Sequence, residues 1–183
     1  MKITKKNLHQ RFTASFDALG AYFGDDETGL TENEYAAAGH DPQCFEETAL
    51  LPGGGSLGIC THGADYVIKT LGQGARYGFH VEDNPSVTDR TVINAGGHDF
   101  ALIESRYIVD PWYALTVNGQ GVFDLESAVD RKKAQKIYGS TDSWKYFDPI
   151  AQEQFPMTSP DLPAEAFVRS YRSRDLEEQA LTP

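Results

Sequence analysis

The chain has 183 residues, 40% of them hydrophobic, so it can bury one good core but scarcely two. Its 27 acidic residues outweigh 16 basic ones to give a net charge of -11, which repels a phosphate backbone and argues against nucleic acid as a partner. No apolar run approaches the roughly 18 residues that span a bilayer, and the polar start with Lys2, Lys5 and Lys6 lacks a secretory apolar stretch. No membrane is therefore expected as a partner, and the expected address is the cytoplasm, or export by a route that uses no cleavable N-terminal signal.

Leu8, Phe12, Phe16 and Leu19 recur at helical steps and predict an amphipathic helix over 5–23. The stretch 24–43 is acidic, with Ala36, Ala37 and Ala38 marking a short helix before His40 and Asp41, and Pro42 ends it. Pro52, Gly53, Gly54, Gly55, Ser56 and Gly58 form a flexible approach to Cys60, which reads as an active-site loop. Beyond it, Ala64, Val67 and Leu71 lie within about 60° of Cys60 on a helical wheel, so the thiol of this helix should face inward. Gly72 and Gly74 stop the helix.

Strands are expected over 77–81, 91–94, 98–104 and 107–110, separated by Gly, Asp, Asn and Pro clusters. Residues 125–138 carry a helical pattern, on which Arg131, Lys132, Lys133 and Lys136 form a solvated side, and 163–178 can hold a last, more exposed helix. A helix followed by an antiparallel sheet points to α+β architecture in a single domain. Its core covers about 45–150, with the N-terminal helix before it and a helical tail over 151–183.

Cys60, His98 and Asp110 supply a thiol, an imidazole and a carboxylate in that order. A thiol needs a base to become a thiolate, and the base needs an acceptor to fix its ring. Cys60 falls at the first turn of its helix, where the helix dipole and free amides favour a thiolate. In a strand starting at His98, the imidazole shares a face with Phe100 and Leu102 while Asp99 points the other way. A two-residue turn at Ser105 and Arg106 would put His98 and Asp110 on opposite faces; a three-residue loop or a bulge makes them diagonal neighbours. The chemistry therefore demands an odd loop or a bulge.

In this order of thiol at the start of a buried helix, histidine at the start of a strand, and acid closing the next strand in Val109-Asp110-Pro111-Trp112, the chain resembles the papain-like and transglutaminase-like cysteine superfamily. The resemblance spans about 53–113. It implies a papain-like core with the nucleophile helix packed on an antiparallel sheet, Cys60 as nucleophile, His98 as general base and acid, and Asp110 as the group that orients His98. It also implies a protein or peptide substrate and no cofactor. Papain-like peptidases usually place a glutamine a few residues before the cysteine, whereas here that stretch is glycine and serine and the nearest glutamine upstream is Gln43. This leaves room for deamidation or acyl transfer on a glutamine side chain, reactions seen in small bacterial effectors and toxins of similar outline, and for an oxyanion held by the Cys60 amide and a loop amide.

Other readings stay open. A buried cysteine can be a small core hydrophobe, Asp110 can cap the turn before Pro111, and Trp112 can be core or a wall of the site. His40, Cys44, Cys60 and His62 could supply zinc ligands, though without a CxxC knuckle. The glycine-rich approach lacks the Lys-Ser/Thr pair of a phosphate loop. His80, Glu82, Asp83 and Asn84 could rim a cleft. A non-catalytic module that binds a basic partner is also possible, with Phe100, Trp112 and Tyr113 as its apolar patch.

Overall fold

The computed structural model describes residues 1–147 apart from Gly54, together with the backbone of 169–170. Helix α1 (Lys5–Phe12) begins where the Thr4 hydroxyl accepts the Asn7 N–H. The helix expected over 5–23 is broken: Ser15 caps a second short helix, α2 (Phe16–Leu19), which Gly20 closes at φ 76. Ser and Thr compete with the helix for backbone groups, so Thr13 and Ser15 favour an end and a new start over continuation. Tyr22 and Phe23 then enter strand β1 (Tyr22–Asp25). The short helix expected around Ala36–Ala38 is α3 (Glu32–Ala37), and after a 3-10 turn at Pro42–Cys44 the strand β2 (Glu47–Leu50) pairs antiparallel with β1.

Helix α4 (Cys60–Leu71) ends at Gly72, whose φ of 66 needs a residue without a side-chain penalty. Strand β3 (Ala75–His80) follows. The strand expected over 91–94 is instead helix α5 (Arg90–Ala95), because the Asp89 carboxylate caps it by accepting the Thr91 and Val92 N–H groups. A local cap here overrides the strand preference of Thr91, Val92 and Ile93. Then come β4 (Gly97–Ile103), β5 (Tyr107–Val109), α6 (Pro111–Thr116), β6 (Val122–Asp124), α7 (Ala128–Tyr138) and β7 (Lys145–Tyr146). Of the helix expected over 163–178, only Arg169 and Ser170 are described, and they form strand β8 against β7. The rest of the tail over 151–183 lies outside the described residues.

The result is an α+β fold on an antiparallel sheet of order β6-β5-β4-β3-β7-β8. Alternation along β4 decides what each face meets. Phe100 and Leu102 join Tyr77, Ile108, Phe123 and the α7 residues Ala134, Ile137 and Tyr138 in one buried layer. Ala101 and Ile103 join Leu8, Phe12, Ala64, Val67 and Val109 in the other, which carries α1 and α4. Phe100, Trp112 and Tyr113 are all buried in the first layer, so the exposed apolar patch expected of them does not exist. Among the described residues, no helix is long and apolar enough to cross a membrane.

Strands β4 and β5 pair with Ile103 opposite Tyr107, which leaves a three-residue loop of Glu104, Ser105 and Arg106. Glu104 and Ser105 turn through left-handed conformations at φ 53 and φ 50. The loop is held by Arg106, whose guanidinium grips Asp124 on β6 with two bonds of 2.9 and 2.7 Å.

At the far end of β5, Gly121 accepts the Asp110 N–H at 2.8 Å. A side chain there would place Cβ 2.5 Å from both the Asp110 carbonyl oxygen and the Ala114 Cβ. Gly121→Ala should therefore lower the unfolding free energy by about 1–3 kcal/mol, the range for an overpacked site. Urea denaturation of the variant against the wild type measures it.

Candidate active site

Cys60 opens α4 after Ile59, and no side chain caps the first turn. The orphan N–H groups of a helix start and the positive end of its dipole therefore surround the thiol. The side chain is partly exposed and packs against the aromatic layer of the core. Its sulfur accepts the Asp99 N–H at 3.4 Å, which ties the thiol to the start of β4.

His98 presents no side-chain surface to solvent, and Nε2 donates to Asp110 Oδ2 at 2.6 Å. The odd loop places these two on one face as diagonal neighbours, since His98 lies two positions beyond Phe100, the residue opposite which the register of β5 sets Asp110. The other ring nitrogen, Nδ1, is buried and makes no hydrogen bond of good geometry within the protein. Burial works to lower the pKa of the imidazole, but the charge and hydrogen bond of Asp110, followed by the Cys60 side chain, raise it to about 10. The pairing with Asp110 thus favours the protonated ring, with one nitrogen engaged by the acid and the Cys60 side chain acting on the ring as well.

Asp110 does two jobs. As the N-cap of α6 its Oδ1 accepts the Tyr113 N–H at 2.9 Å, while Oδ2 accepts both His98 and the Tyr138 hydroxyl, the latter at 2.8 Å. Trp112 is both core and wall: its ring centroid lies 4.9 Å from that of His98, and its indole N–H donates to the Gly58 carbonyl at 3.1 Å. The glycine-rich approach is fastened to the site through that bond.

On the opposite face of β4, Asp99 fastens the helix start. Its carboxylate accepts the Thr61 hydroxyl at 2.6 Å and lies 3.8 Å from Arg76 Nε, and Arg76 also pairs with Asp65 at 2.8 Å. The buried Arg76 guanidinium stacks 3.6 Å from the centroid of the Phe147 ring. Burial pulls the Arg76 pKa down against the upward effect of Asp99 and Asp65. Sequence reasoning singled out none of Thr61, Arg76, Asp99 or Tyr138 for a role at the site. Only Asp99 left a signal, because alternation already turned it to the face opposite His98.

The rival zinc set does not assemble. His40 stacks on Tyr35 with centroids 4.5 Å apart, Cys44 is exposed, and His62 Nδ1 sits 3.3 Å from the Ser56 carbonyl. Among the described residues, no group of three or more His, Cys, Asp and Glu side chains could hold a metal. Of the residues expected at a cleft rim, Asn84 is fully buried and Asp83 pairs with Lys145. A cavity of about 430 Å³ lies beside α4, lined by His62, Asp65, Tyr66, Lys69, Arg76 and Phe147 among others, and neither Cys60 nor His98 borders it. Compared with known proteins, the chain matches no family model, no curated protein and no solved structure.

The His98 ion pair makes stability depend on pH. Because its pKa is raised from 6.5 to about 10, its contribution is complete below pH 6.5 and is lost as the pH climbs through 10. Unfolding free energy measured by urea titration should decline across this window with a slope of up to about 1.4 kcal/mol per pH unit. In His98→Gln that part of the decline should vanish; an unchanged slope would show that the imidazole is not held as a cation.

Proposed function

We propose that this protein is a thiol hydrolase or acyltransferase of papain-like or transglutaminase-like kind, acting on an amide bond of a protein or peptide through Cys60, His98 and Asp110. One observation carries the reading: His98 commits Nε2 to a buried carboxylate, while Nδ1 makes no hydrogen bond of good geometry and the Cys60 side chain acts on the ring. A structural histidine in a core satisfies both nitrogens, since an unmet buried polar atom is costly.

In this reading the Cys60 thiolate attacks the amide carbon and the carbonyl oxygen takes the negative charge. First-turn N–H groups of α4, uncapped by any side chain, hold that oxyanion. As the tetrahedral intermediate collapses, His98 gives its Nδ1 proton to the departing nitrogen, which leaves as an amine, or as ammonia from a glutamine side chain. A thioester remains on Cys60. His98, now neutral, takes a proton from water or from a second amine, whose oxygen or nitrogen attacks the thioester and restores the thiolate. Asp110 keeps the ring aligned throughout. The absence of a glutamine shortly before Cys60 favours deamidation or acyl transfer over peptide cleavage.

Alkylation tests the thiol. At pH 6, iodoacetamide should label half-buried Cys60 faster than exposed Cys44, the reverse of what exposure alone dictates, and His98→Ala should slow Cys60 at least tenfold. Equal, slow labelling of both cysteines would favour a non-catalytic protein-binding module on the same fold. With glutamine-containing peptides, ammonia release that Cys60→Ser abolishes identifies the reaction, whereas new amine termini indicate peptide cleavage.

A further inference from the structure

Four separate features converge on the end of α7. Tyr138 is fully buried, and its hydroxyl donates to the same Asp110 oxygen that His98 uses. Its carbonyl accepts two side-chain bonds, from Asn84 Nδ2 at 2.9 Å and from the Trp144 indole at 2.6 Å. Asn84, itself without exposed surface, also accepts the Ser140 N–H at 3.0 Å. Gly139 must be glycine, because its φ is 67 and a Cβ would collide with the Asn84 amide. A single loop amide and an indole thus fix the backbone of the residue whose hydroxyl reaches the acid. Helix termination alone requires none of this, since a glycine with a positive φ ends a helix unaided.

We propose that Tyr138 is a positioning residue for the His98–Asp110 pair, sharing Oδ2 so that the carboxylate keeps its orientation and holds the imidazole proton less tightly. A donor on that oxygen withdraws negative charge from the bond to Nε2, so the imidazolium gives up its proton more readily. Among the described residues, the leading charged and titratable groups that act on His98 and Tyr138 number four. Cys60 of α4 and Asp110 act on His98, while Tyr113 of α6 and Asp89 before α5 act on Tyr138. The Tyr113 hydroxyl is itself engaged, donating to Asp89 at 3.0 Å. Tyr138 is therefore the neutral donor that divides Oδ2 with the imidazole. Any effect on catalysis rests on the thiol reading of Cys60, whereas the effect on His98 does not.

The test is an NMR titration of the His98 ring in the full chain, assigned with His98→Gln. It compares the wild type with Tyr138→Phe and with a chain carrying 3-fluorotyrosine at position 138. Tyr138→Phe should move the His98 midpoint up by about half a pH unit or more, and the fluorinated ring, a stronger donor of the same shape, should move it down. The pH profile of Cys60 alkylation should shift in both chains. A midpoint that moves by less than about 0.2 pH unit in the fluorinated chain overturns the proposal, even if Tyr138→Phe fails to fold. If His98→Ala leaves Cys60 labelling unchanged while the midpoint still responds to position 138, the thiol reading falls and the role of Tyr138 stands.

Discussion

The bond between His98 and Asp110 depends on parity. Side chains alternate along a strand, so one residue more or fewer in the loop between β4 and β5 would turn one partner to the opposite face of the sheet. Glu104, Ser105 and Arg106 supply the odd count, two of them at positive φ without help from glycine. Such conformations are unfavourable for ordinary residues, and the double grip of Arg106 on Asp124 holds the chain in them. A surface ion pair, ordinarily of little consequence for stability, here fixes the register on which the buried pair rests.

Adjacent residues of β4 divide the work between the two faces. His98 turns toward α6 and α7, where Asp110, Trp112 and Tyr138 enclose it; Asp99 turns toward α4, where it holds Thr61 and lies beside Arg76. The main-chain N–H between those two side chains reaches the sulfur itself. Imidazole and thiol are thereby both tied to the start of β4, one by its own backbone and the other through the Asp99 N–H. Gly78 on the neighbouring strand serves this arrangement, for a side chain there would run into the Asp99 carboxylate.

How much of this could be read from the chain follows from the range of each signal. The helix from Cys60 to Leu71 carried its own spacing and its own glycine stop, and the need for an odd loop between His98 and Asp110 follows from alternation alone. The segment 91–94 misled because Thr91, Val92 and Ile93 suit a strand, while a single Asp89 carboxylate tips them into a helix. The break after Phe12 was hidden for a similar reason, since apolar spacing continued across a pair of capping residues. Strands β1 and β2 are four residues each and pair across most of the acidic stretch, which leaves little periodicity to detect. Tyr138 had no local mark at all. Its position depends on Asn84, 54 residues earlier, and on an acid 28 residues earlier.

The complete enclosure of the imidazole has a further result. A ring with no surface in contact with solvent cannot trade protons with bulk water along its own edge, because Asp110 occupies one nitrogen and Trp112 and Tyr138 flank the ring. The other nitrogen makes no hydrogen bond of good geometry, and the Cys60 side chain is the neighbour that acts on the ring besides Asp110. Under the proposed thiol reading, a molecule seated against Cys60 covers the one ring nitrogen that Asp110 leaves free, so the first product must depart before the next reactant arrives.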